Sequence, residues 1–223
     1  MVEWVVEKSP AYSVLKVRLG SGEQVTAEAG AMMLMKGDIQ VKTTTGGIKR
    51  GLLRKLAGGE SMFMNIFQAG HAGGEVWFVP PVPGDIKEIK LSGESWIVQD
   101  TSYLAHTGNI NVGVAWRGMK GLFAEGELVW LKLEGTGTVW VNSYGAIETI
   151  QVPAGDTVIV DNMHFVAMPS TTNYEITKFG GLKSFLLGGE GIVAKVYGPT
   201  TLLVQTRVLP PLARLLQKYL PRK

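Results

Sequence analysis

The sequence predicts an all-β fold of sandwich or barrel type. Three similar β units share one interior around a pseudo-threefold axis, and a short amphipathic helix ends the chain. Two observations lead there: short apolar runs cut by abundant glycine, and two motifs that each recur three times in the same order. Glycine supplies 29 of the 223 residues. Spread between short runs of alternating apolar residues, it marks turns between many strands.

The first motif begins at Gly22 as Gly-Glu-Gln-Val-Thr-Ala-Glu-Ala-Gly-Ala-Met-Met. It returns from Gly93 as Gly-Glu-Ser-Trp-Ile-Val-Gln-Asp-Thr-Ser-Tyr-Leu and from Gly155 as Gly-Asp-Thr-Val-Ile-Val-Asp-Asn-Met-His-Phe-Val. The copies align without gaps. An acid follows each glycine (Glu23, Glu94, Asp156), then Val25, Trp96 and Val158 match, as do Ala27, Val98 and Val160. Alternate apolar positions have the period of a strand. Met32, Tyr103 and Phe165 also match and open a second strand.

The second motif reads Gly-Leu-Leu-Arg-Lys-Leu-Ala-Gly-Gly-Glu over Gly51–Glu60. It recurs as Gly-Met-Lys-Gly-Leu-Phe-Ala-Glu-Gly-Glu over Gly118–Glu127 and as Gly-Leu-Lys-Ser-Phe-Leu-Leu-Gly-Gly-Glu over Gly181–Glu190. Each copy leads into a β-like run, at Ser61–Phe67, Leu128–Leu133 and Gly191–Val196. In the middle copy Val129, Leu131 and Leu133 alternate with Trp130 and Lys132, as on a half-buried strand. The units are therefore drawn at about residues 12–90, 91–151 and 152–208. One small sheet cannot bury its apolar face alone, so the three form a single domain over 1–208.

The tail differs. Pro210 and Pro211 break the last strand, and Leu212, Leu215, Leu216 and Leu220 then fall at helical spacing among Arg214, Lys218, Arg222 and Lys223. Residues 209–223 read as a basic amphipathic helix.

Composition narrows the functional classes. Apolar residues make up 45% and charged residues 18%, enough apolar material for a packed core. The net charge of +3 lacks the strong basic bias usual in nucleic-acid binders. The absence of cysteine removes disulfides, thiolate metal sites and a cysteine nucleophile, and suits the cytoplasm. The start, Met-Val-Glu-Trp-Val-Val-Glu-Lys, does not read as a secretory signal. No run approaches the ~20 apolar residues that span a bilayer.

The Gly-Leu-x-x-x-Leu-x-Gly-Gly-Glu element, its recurrence, and Ala29-Gly30-Ala31-Met32 resemble the family of the "altered inheritance of mitochondria" protein and its bacterial and archaeal relatives. The resemblance covers nearly the whole chain up to the tail. It implies a fold like that of the tryptophan RNA-binding attenuator protein, with three β units about a pseudo-threefold axis. It carries over no catalytic residue, and the attenuator protein's RNA-contacting and tryptophan-binding residues find no counterpart here. RNA binding would rest on fold analogy alone.

Several residue sets invite a functional reading. Lys49, Arg50, Arg54, Lys55, Arg117, Lys120, Lys178 and Lys183 lie in or beside the three insertions and would form a basic rim if the insertions share one side. Such a rim could meet nucleic acid or an anionic membrane, although charge clusters are usually solvated faces. Glu60, Glu127 and Glu190 recur symmetrically and read as structural, each accepting hydrogen bonds at a strand start. His71, His106 and His164 fall at non-equivalent positions, so they read as isolated or hydrogen-bonded histidines rather than a metal set. Trp77, Trp96, Trp130 and Trp140 read as core or interface packing. Trp116, beside Arg117, is the one tryptophan suited to base stacking. Met32, Met33 and Met35 read as adaptable core filler.

No Gly-x-Ser-x-Gly, Walker loop or dinucleotide fingerprint is present, so the sequence nominates no catalytic residue and no cofactor. The expected function is a non-enzymatic binding or assembly module, working as a homo-oligomer in which the apolar tail and the strand edges are buried between copies. The alternatives are an RNA- or DNA-binding protein using the basic rim, and an enzyme or small-ligand binder with a site in the barrel interior. Residues 209–223 could also touch a membrane surface, weakly at this length.

Overall fold

The structure is a computed structural model and describes residues 2–44, 63–117, 129–178 and 192–220. Strands dominate it. They run β1 (Glu3–Glu7), β2 (Val14–Leu19), β3 (Gln24–Glu28), β4 (Met32–Thr44), β5 (Met64–Phe78), β6 (Ile86–Gln99) and β7 (Tyr103–Arg117). They continue as β8 (Val129–Asn142), β9 (Ile147–Val152), β10 (Thr157–Asp161), β11 (Phe165–Pro169), β12 (Asn173–Lys178), β13 (Ile192–Tyr197) and β14 (Thr200–Gln205). A helix, α1 (Leu209–Gln217), follows.

The glycines that open the first motif share a backbone conformation, Gly22 and Gly155 in turns and Gly93 at the register shift within β6. Gly22, Gly93 and Gly155 have φ of 76°, 111° and 87°, and an added Cβ at any of them would meet no atom within 4 Å. The demand for glycine is conformational: L side chains rarely adopt this left-handed region. Two of the adjacent acids bind the backbone just before them. The Glu23 carboxylate accepts the Gly20 N–H at 2.8 Å, and Glu94 accepts that of Ser92 at 2.9 Å.

The long strands are broken by register shifts. β4 follows β5 from Met32↔Phe78 to Thr44↔Met64, with a register shift between Gly37 and Ile39. β6 follows β8 from Ile86↔Asn142 to Gln99↔Trp130, shifting between Ser92 and Ser95. Such breaks bend a strand and let its halves pair separately. The first halves of β6 and β7 flank one half of β8, and their second halves flank the other. Around β5, β2 and the first half of β4 flank one half, while β3 and the second half of β4 flank the other. In the last part of the chain the strands are shorter: β9 and β11 flank β14, and β10 and β12 flank β13.

Two further pairings knit these blocks together. β3 meets β7 through Thr26↔His106 and Ala27↔Ala105. The second half of β6 meets β11 through Trp96↔Pro169, Ile97↔Met168 and Val98↔Ala167. They produce an 11-stranded sheet, while β10, β13 and β12 form a separate three-stranded one. No strand pairing joins β10 to β4 among the described residues.

The core falls into three clusters of buried side chains. One cluster holds Leu15, Val17, Val25, Phe67, Phe78 and Trp140, with the two phenylalanine rings edge to face at 5.2 Å. A second centres on Tyr103, Leu131, Leu133, Val141 and Val166. The third packs Trp130 against Phe165 at 4.2 Å, beside Ile97, Met168 and Leu202. Burying each large aliphatic side chain contributes about 1.5–3 kcal/mol.

Two expectations about side chains change here. Met32, Met33 and Met35 are not core filler: they are 41%, 54% and 45% exposed. Among the described residues, their half of β4 has β5 on one side and no strand on the other. Pro210 and Pro211 do end the strand region, but they sit in the first turn of α1, where proline's missing N–H costs no helical hydrogen bond. The helix buries none of its residues, and Leu209, Leu215 and Leu216 are about half exposed.

Candidate functional site

The joint between β3 and β7 holds a buried polar cluster. The Tyr103 hydroxyl and His106 Nδ1 share a hydrogen bond of 2.7 Å, and the same hydroxyl lies 3.5 Å from the carbonyl of Thr26. Burial pushes the His106 imidazole down to about 4, so it is neutral near pH 7. Burial likewise drives the Tyr103 phenol well above its usual value. Glu28 ends β3 and Asp100 follows β6. Burial raises the Glu28 carboxyl to about 7, with the Asp100 charge adding to the rise, and raises Asp100 to about 6. No spacing signal marks this set, because Thr26 and His106 are distant in sequence and meet only through the β3–β7 register.

The corresponding joint between β6 and β11 is apolar. Ile97 and Met168 stand opposite each other, 4% and 0% exposed. Ser95 and Ser170 close its end with a side-chain hydrogen bond and a backbone one, Ser170 N–H to Ser95 carbonyl at 2.9 Å.

An open cleft of roughly 760 Å³ lies beside the first half of β4, lined by Arg18, Lys36, His71, Glu3, Glu75 and a run of glycine backbone. Its long cations are paired. Arg18 lies 3.8 Å from the Glu3 carboxylate and Lys36 lies 3.1 Å from Glu75. The hydrogen bond from the Trp77 indole N–H holds the Glu75 carboxyl below its usual range, with Lys36 adding to the effect.

The residues singled out from sequence scatter. Lys49, Arg50, Arg54, Lys55, Lys120 and Lys183 lie outside the described residues, as do Glu60, Glu127 and Glu190. Arg117 is the last residue of β7 and Lys178 the last of β12. His71 lines the cleft, His106 is buried in the first joint, and His164 Nδ1 lies 2.6 Å from the Gln205 carbonyl. Trp130 and Trp140 are fully buried, whereas Trp77 is half-buried with the Lys16 ammonium 4.1 Å from its ring centroid. Among the described residues, no three His, Asp or Glu side chains gather as metal ligands. None of their helices is long and apolar enough to cross a membrane.

These features define an all-β protein of antiparallel sheets, joined edge to edge, with a short exposed C-terminal helix. Residues 4–207 match the Mitochondrial biogenesis AIM24 family, and the chain belongs to it. It is 28% identical to an uncharacterized protein of Streptococcus pyogenes serotype M6, over 99% of this chain and 92% of that protein. A crystal structure of a Streptococcus pyogenes protein shares the fold, with a TM-score of 0.82 at 24% identity, over 99% of this chain and all of that one.

Proposed function

We propose that this chain is a non-enzymatic assembly module that works as a homo-oligomer, built from three copies of one β unit. The observation that carries the proposal is its uncovered apolar surface. Met32, Met33 and Met35 on β4, Ile159 on β10 and Leu209, Leu215 and Leu216 of α1 are all exposed. Contiguous exposed apolar groups mark interaction surfaces, and symmetric self-association is the commonest way of covering them. The three-unit reading draws on the wiring: two strands flank each half of β5 and of β8, and β14 and β13 take the same two roles in the third unit. It starts the second and third units at β6 and β9, a few residues before the boundaries drawn from the motifs alone. The non-enzymatic reading rests on the sequence, which nominates no nucleophile or cofactor loop.

Light scattering on the size-separated full chain tests the proposal, and the expected result is a mass above that of one chain. A single-chain mass throughout the accessible concentration range would end it. Removal of residues 209–223 assigns the role of α1, which buries none of its residues: a lower mass, with the cooperative unfolding transition of the full chain retained, places the helix in the interface.

A further inference from the structure

Among the described residues, two joints of one kind are made inside this chain, and the two halves of a third are left without a strand partner. In the ungapped alignment of the first motif, Thr26, Ile97 and Ile159 are equivalent, as are His106, Met168 and Met35. The first joint pairs Thr26 with His106, and the second pairs Ile97 with Met168. The third pair, Ile159 and Met35, is not formed: Ile159 is 58% exposed and Met35 45%, against 4% and 0% for Ile97 and Met168. Beside it, Val160 and Leu34 are the equivalents of Val98 and Ala167, which are opposite each other in the second joint. Each open half belongs to a strand that already has one neighbour, β13 for β10 and β5 for β4, and offers its other edge.

We infer that a second copy of this chain completes the third joint: β10 of one copy adds antiparallel to the first half of β4 of the next, in the register Ile159↔Met35 and Val160↔Leu34. This rests on the oligomer reading above and specifies its surface. Three features select this occupant. The apolar pair at the open joint repeats the chemistry of the buried Ile97–Met168 pair, so each edge matches the other. An apolar strand edge with free N–H and C=O groups is a template for another strand. Both halves are present on every copy, so one contact serves head to tail, and made reciprocally by two copies it leaves neither half open.

Engineered cysteines test this cleanly, because the chain has none of its own. Met35→Cys and Ile159→Cys alter exposed side chains, and residues opposite each other on antiparallel strands come within disulfide reach. Mild oxidation of a mixture of the two single variants is expected to give a covalent species of two chains. Leu34→Cys with Val160→Cys serves as a second pair, and Met35→Cys with Glu148→Cys on β9 as the control. A cross-link no stronger than the control for both pairs overturns the inference. So does a link formed within one chain of the double variant, which would mean that the chain closes its own third joint. Light scattering on the Met35→Lys, Ile159→Lys double variant separates the two levels of the argument. A fall to the mass of one chain supports this edge. An oligomer of unchanged mass overturns the edge and leaves the assembly reading standing, whereas a single-chain mass for the wild type removes both.

Discussion

The hydroxyl of Tyr103 and Nδ1 of His106 share a 2.7 Å hydrogen bond inside the sheet joint between β3 and β7. Both side chains are buried, so neither can exchange this partner for water. Tyr103→Phe keeps the ring in its core cluster and removes only the hydroxyl. It is expected to cost about 1–2 kcal/mol, because a buried ring nitrogen loses its partner. Urea unfolding followed by tryptophan fluorescence measures it, and an unchanged midpoint would refute the role assigned to the bond.

The same region makes stability depend on pH. Glu28 rises from 4.5 to about 7 and Asp100 from 3.8 to about 6 on folding. A carboxyl with a raised folded value binds its proton more tightly in the folded state, so stability falls as pH rises from about 4 to 7. His106 acts the other way: its folded value of about 4 lies below the usual 6.5, so its contribution is complete above 6.5 and fades as pH falls toward 4. Glu28→Gln removes the largest falling contribution. Between pH 5 and 8 the wild type should lose about 2–3 kcal/mol relative to that variant. Parallel unfolding curves at both pH values would contradict the burial assigned to Glu28.

Gly84 carries a steric prediction. A Cβ there would lie 1.6 Å from the Ser143 carbonyl oxygen, a backbone atom that no rotamer change can move. Gly84→Ala must separate the strand entering β6 from the end of β8, where Gly84 bridges Gly145. A loss of about 1–3 kcal/mol follows from overpacking, readable as a lowered melting temperature. Gly22→Ala is the informative contrast. It has open space and fails only on φ, so its cost is backbone strain of about 1–2 kcal/mol with no displacement of neighbours.

What the sequence reveals and conceals follows from the range of each interaction. Gly22, Gly93 and Gly155 are legible because a positive φ selects glycine locally, and the strands after them because their apolar residue types recur at alternate positions. Membership of the family is legible for the same reason, since the motifs lie in contiguous stretches. Met32, Met33 and Met35 were not legible as exposed residues. Their equivalents Tyr103, Leu104 and His106 are buried, and so are Phe165, Val166 and Met168; the difference is a neighbouring strand, which no local pattern encodes. The Glu28, Asp100, Tyr103 and His106 cluster escaped for a related reason. It is assembled by strand register across a joint, and each member looks ordinary in its own segment.

Asp85 supplies the last prediction. Its Oδ1 accepts hydrogen bonds from the Ser9 hydroxyl at 2.8 Å, the Ser13 hydroxyl at 2.9 Å and the Ile86 N–H at 2.9 Å. Its own N–H reaches the Ser143 hydroxyl at 3.2 Å, and its carbonyl accepts the Ser143 N–H at 3.1 Å. One residue therefore ties the loop after β1 to the start of β6 and the end of β8. Among the described residues β1 pairs with β2 alone and is otherwise anchored by Trp4, against Glu88 and Trp140, and by that loop. Asp85→Ala removes three accepted bonds and is expected to cost about 2–3 kcal/mol, while Asp85→Asn retains an acceptor oxygen and should cost about 1 kcal/mol. The distinguishing readout is local: amide exchange at Val5 and Val6 should speed up in Asp85→Ala well before the β7–β8 hairpin is affected. Uniform acceleration across both regions would mean that Asp85 supports the whole sheet rather than its N-terminal edge.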